Sequence, residues 1–81
     1  MSSEIDVNET LDVQGLNCPM PVVKTKQAVD GLAGGDVLEV VATDPGSMSD
    51  IAGWAEATGD VELVDQFDEG DAYRHLVRKI D

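Results

Sequence analysis

Cys18 is the only cysteine of the 81-residue chain, and it opens the run Cys18-Pro19-Met20-Pro21. A single thiol cannot close an internal disulfide, so it is kept reduced or used as a nucleophile. Its position favours use. Leu11 and Val13 alternate with Thr10 and Asp12 as a short half-buried strand that stops at Gln14-Gly15. Pro19 carries the fixed φ that suits the first position of a helix, which makes Cys18 the expected cap residue. A thiolate at a helix start faces unpaired N–H groups and the positive end of the helix dipole, and both favour the ionised form. The second helix opens instead with Asp44-Pro45, where a carboxylate can accept from the free N–H groups. Cysteine does that poorly, so the first helix trades capping for a nucleophile. Pro21 fixes a second φ in the first turn, giving a stiff, comparatively apolar mouth with Met20 beside the sulfur. A lone cysteine is otherwise a small buried hydrophobe, and here the cap position outweighs that reading. Gly15 either permits the tight strand-to-helix turn or is ordinary punctuation.

Other residue types offer less. His75 is the sole histidine and lies on the last strand, where a solvated or packing role outweighs that of a base for Cys18. Arg74, Arg78 and Lys79 form the one basic cluster, with Lys24 and Lys26 on the first helix. Exposed charges of this kind mostly keep a surface wet, and Lys26, two turns along the helix, is the best placed of them to aid Cys18. Asp50 and Trp54 flank the second helix's apolar stripe, with roles in helix-start electrostatics and partial packing. One cysteine and one distant histidine do not make a zinc site, and the carboxylates lack the spacing of a calcium loop. Gly34-Gly35 is not followed by Lys-Ser or Lys-Thr, so it is no phosphate loop.

The elements that must position Cys18 follow from periodicity. Residues 1–8 read as a flexible acidic tail, and residues 9–81 as a single domain, since so short a chain can bury only one core. Val22, Thr25, Val29, Leu32 and Ala33 share one face of a helix running from Pro19 to Leu32 and ended by Gly34-Gly35. Asp36 to Thr43 is apolar and β-branched on nearly every position, as in a central strand. Met48, Ile51, Ala52 and Ala55 form the buried stripe of a helix closed by Gly59. Val61, Leu63 and Phe67 alternate in a strand, Glu69-Gly70 turns the chain, and Tyr73 to Ile80 completes a hairpin. The order β-α-β-α-β-β predicts an α/β (α+β) two-layer sandwich, a mixed four-stranded sheet with both helices on one face.

Composition narrows the function. With 42% hydrophobic but only 4% aromatic residues, the core is aliphatic and a large enclosed pocket is not expected. The formal net charge of -12, from 17 acidic and 5 basic residues, excludes direct nucleic-acid binding, which needs Lys and Arg against phosphate. It points to a salt-loving host of haloarchaeal type, because at molar salt the Debye length falls to about 3 Å and self-repulsion is screened. The N-terminal residues have neither the basic start nor the apolar stretch of a secretory signal, and no apolar run reaches membrane-spanning length, so a cytoplasmic protein without membrane contact is expected.

Leu11-Asp12, the run Gly15-Leu16-Asn17-Cys18-Pro19-Met20-Pro21-Val22, the Gly34-Gly35-Asp36 turn, Val40 to Asp44-Pro45, Asp50-Ile51 and Tyr73 to Lys79 together resemble the TusA/SirA family of sulfur carriers. The resemblance spans nearly the whole chain beyond the tail. It implies the same two-layer fold and a persulfide carried on Cys18, the cysteine of the Cys-Pro-x-Pro motif, framed by Pro19 and Pro21. It also implies a sulfur-donor protein of cysteine desulfurase or rhodanese type and a sulfur-acceptor protein, in tRNA thiolation, cofactor sulfuration or sulfur oxidation. Such a chain is a sulfurtransferase-like carrier without a cofactor rather than a self-sufficient enzyme. Sulfane transfer indeed needs only one exposed thiol, since a second would resolve the persulfide as a disulfide. The competing reading is a non-catalytic regulatory or redox-sensing interaction module.

Overall fold

The computed structural model describes residues 7–80. Six elements follow in order: β1 (Glu9–Val13), α1 (Met20–Asp30), β2 (Val37–Ala42), α2 (Ser47–Thr58), β3 (Val61–Asp68) and β4 (Tyr73–Lys79). The strands form one sheet in the order β1-β2-β4-β3, with β1 parallel to β2 and the other neighbours antiparallel. This is the expected mixed sheet, with β2 central. Both helices contact each other and the sheet. Val29 of α1, Ile51 and Ala55 of α2, and Val13, Leu38, Val40, Ala42, Val61 and Val77 of the strands form one core. Each Val, Leu or Ile side chain fully buried there contributes roughly 1.5–3 kcal/mol of transfer free energy.

Most of the expected tail, residues 1–6, lies outside the described residues. Asn8 belongs to the domain instead: its N–H donates to the Val37 carbonyl at 2.9 Å and its side-chain oxygen accepts the Val37 N–H at 2.8 Å. Helix α1 stops at Asp30, not Leu32. Gly31 is its C-cap, and the Gly31 and Leu32 N–H groups turn back to the Ala28 and Val29 carbonyls at 3.1 and 2.9 Å. Ala33 is consequently exposed, and Gly34-Gly35 belongs to the turn into β2. In α2 the buried stripe is Ser47, Ile51 and Ala55, one residue out of phase with the expected start at Met48, which is only half-buried with Ala52.

The clearest departure is in β3. Its pairing with β4 shifts between Leu63 and Asp65, leaving Val64 as an extra residue. An inserted residue reverses which face each later side chain takes. Val61 and Leu63 therefore point to the core, but beyond Val64 it is Gln66 that faces the helices. Phe67, expected on the buried side, lies on the opposite face, 38% exposed and 5.2 Å beneath the Arg74 guanidinium.

Candidate functional site

Because β1 and β2 are parallel, the loops leaving their C-terminal ends meet at one end of the sheet. The first loop carries Cys18. It is folded by short-range bonds: the Gln14 N–H to Asp12 Oδ1 at 2.9 Å, Leu16 N–H to the Val13 carbonyl at 3.2 Å and Met20 N–H to the Asn17 carbonyl at 2.8 Å. The second loop, Thr43 to Gly46, fastens it. Thr43 Oγ1 accepts the Gly15 N–H at 2.8 Å, and Asp44 Oδ2 accepts the Cys18 N–H at 2.8 Å. Gly15 has φ +84, so the tight turn requires it and the punctuation reading falls.

Cys18 is exposed. It is not the helix cap. The Cys18-Pro19 peptide is cis, Pro19 occupies the cap position, and the sulfur-bearing residue stands one place outside the helix. Pro19 is exposed, and its carbonyl accepts the Val23 N–H at 3.1 Å. Pro21 is buried in the first turn, with its carbonyl accepting Thr25 Oγ1 at 2.7 Å, so it anchors the helix start to the core. Met20 is 39% exposed beside the thiol.

The charge around Cys18 also differs from expectation. A hydrogen bond to Asp50 raises the thiol's pKa above its ordinary value, aided by desolvation and by the negative charges of Asp50 and Asp44. The surroundings favour the thiol over the thiolate, because carboxylates, not helix N–H groups, face the sulfur. Lys26 does not offset them. It pairs with Asp30 at 3.5 Å, further along the exposed face of α1. The basic cluster is engaged elsewhere: Arg74 on Glu39 and Glu69, Arg78 on Glu62, and Lys79 Nζ on the Leu32 carbonyl at 2.9 Å.

His75 is fully buried beneath the start of α2, a packing role rather than a solvated one. Its Nδ1 lies 3.0 Å from Gln66 Nε2, which also donates to the Met48 carbonyl at 2.8 Å; a carbonyl partner requires that atom to be the amide nitrogen. Nδ1 is thus the acceptor, and Nε2 carries the proton donated to Ser47 Oγ at 3.1 Å. Burial lowers the pKa of His75, in keeping with a neutral ring. The residues missed from the sequence are Asp44 as a clasp on Cys18, and the Ser47-His75-Gln66 chain under α2. The first arises from the parallel pairing of β1 with β2, and nothing local in the sequence marked either.

This architecture and site have recognisable counterparts. The profile of the family described as Sulfurtransferase TusA matches residues 9–79, and the chain belongs to that family. It is 65% identical over 79 residues to a Halobacterium salinarum protein bearing the provisional name sulfur carrier protein, with 98% of each chain covered. It is 40% identical to the sulfur carrier protein TusA of Allochromatium vinosum, covering 91% of this chain and 96% of that one. The crystal structure of a SirA-like protein from Desulfitobacterium hafniense superposes with a TM-score of 0.76, over 90% of this chain and 99% of that one, at 23% identity. That similarity confirms the fold. The relative in a halophilic archaeon accords with the acidic composition.

Proposed function

We propose that the protein is a sulfur carrier that accepts sulfane sulfur as a persulfide on Cys18 and relays it to a partner protein. The observation that carries this reading is a sole, exposed thiol whose backbone is clasped to a second loop at the end of the sheet. In loading, the Cys18 thiolate attacks the outer sulfur of a donor persulfide, forming Cys18–S–SH and releasing the donor thiolate. In delivery, an acceptor thiolate attacks that outer sulfur and Cys18 leaves as thiolate. A donor of cysteine desulfurase or rhodanese type supplies the first step.

The test is intact mass after incubation with a cysteine desulfurase and cysteine in high salt. The wild type should gain one sulfur atom that reductant removes, and Cys18→Ser should gain none. No gain with several sulfur donors would remove the carrier reading.

A further inference from the structure

Asp44 and Asp50 converge on Cys18 from two positions near the start of α2. The Asp44 carboxylate spans the gap between loops, with Oδ2 accepting the Cys18 N–H at 2.8 Å and Oδ1 the Gly46 N–H at 3.2 Å. Asp50 lies in the first turn of α2, its own N–H bonded to the Gly46 carbonyl at 2.9 Å. A Cβ on residue 46 would meet Asp50 Oδ2 at 3.4 Å and the two Asp44 oxygens at 3.7 and 3.8 Å. Gly46 has an ordinary helical backbone, φ -70 and ψ -13, so conformation does not demand glycine there. Both carboxylates thus lie beside the same backbone position, next to the loop that carries Cys18. Asp50 raises the pKa of the thiol most, Asp44 adds to it by charge, and no Lys or Arg among the described residues offsets them.

In discharge, a thiolate R–S⁻ attacks the outer sulfur of Cys18–S–SH and R–S–SH forms. The S–S bond breaks with its electron pair passing to Cys18 Sγ, which later takes a proton from solvent. That developing charge arises against two carboxylates, which favour the protonated thiol. A thiol that ionises less readily leaves more slowly, and an anionic thiol is repelled on approach. Building on the carrier reading, we propose that Asp50, assisted by Asp44, is a specificity-determining positioning residue that holds sulfane sulfur on Cys18 against discharge to free small thiols.

The experiment compares full-length wild type, Asp50→Asn, Asp50→Glu and the charge-matched control Asp71→Asn, in salt where circular dichroism shows each folded. Alkylation of Cys18 by iodoacetamide is followed across pH by intact mass. Asp50→Asn should react about two- to fivefold faster at neutral pH, with its profile moved to lower pH. Asp50→Glu should return towards wild type, and Asp71→Asn should match it. After loading with sulfane sulfur, Asp50→Asn should lose it to glutathione several-fold faster than wild type. A wild type that loads, together with an unmoved alkylation profile or an equal discharge rate in Asp50→Asn, overturns the proposal alone. A wild type that never loads overturns the carrier reading and the proposal with it.

Discussion

His75 is held by acceptor and donor partners that suit only its neutral form. Protonation would set an Nδ1–H against the Gln66 amide N–H, two donors facing each other, in a site closed to water. Since burial puts the folded-state pKa below the unfolded value of about 6.5, the unfolded chain binds the proton first as pH falls. Stability from this residue is therefore complete above about pH 6.5 and is lost as pH drops towards the folded value. Unfolding midpoints measured between about pH 5 and 7, above the range where most carboxylates titrate, should fall in the wild type. They should vary less in His75→Gln, even if that variant is weaker throughout, and parallel slopes would sink the assignment. Asp44 makes a second residue-scale case. Its carboxylate satisfies two backbone N–H groups on different loops, so Asp44→Ala should cost about 1 kcal/mol and lower Tm by about 4–8 °C, with Asp44→Asn recovering part of the loss. An unchanged melting curve for Asp44→Ala would show the clasp to be slack.

At the scale of elements, α2 carries an avoidable weakness. Gly53 sits exposed in mid-helix, and a Cβ there would meet nothing within 4 Å. Gly53→Ala should raise stability by roughly 0.5–1 kcal/mol, seen as a higher melting temperature with an unchanged alkylation rate at Cys18. Stability equal to or below that of the wild type would mean that the helix face is less open than it looks. The elements were legible in the sequence wherever periodicity was unbroken: β2 by its apolar run, both helices by their buried stripes, and β4 by the turn before it. Phe67 was misassigned because a bulge at Val64 leaves no trace in residue type while inverting everything after it. The end of α1 was placed late because Gly31, a weaker visual stop than Gly34-Gly35, is the residue at which the hydrogen bonds tighten. At the site, the thiol and its prolines could be read directly. Its electrostatics could not, since Asp44 and Asp50 are 26 and 32 residues away in the chain and reach Cys18 only through the parallel pairing of β1 with β2.

For the molecule as a whole, charge is the dominant fact. Among the five basic residues, Arg74, Arg78 and Lys26 are already paired with carboxylates, and Lys79 is bonded to a backbone carbonyl. Exposed pairs of this sort contribute little, about 0–1 kcal/mol each, so the surplus of acid remains largely uncompensated. Tm should rise steadily as potassium chloride goes from about 0.1 M to 1 M, where the Debye length shrinks from about 10 Å to 3 Å. A flat response would mean that the carboxylates are too dispersed to repel one another. The sheet's directions have one more consequence. Glu9 begins β1 beside Leu38 and Arg78 near the end of β4 pairs with Val37, so the start of β1 and the end of β4 lie together at the end of the sheet opposite the loop that carries Cys18. A partner joined before Glu9 or after Ile80 would thus be attached at the end of the sheet away from the sulfur. Joining this domain to a donor or acceptor would raise the local concentration of cargo without masking the hand that delivers it.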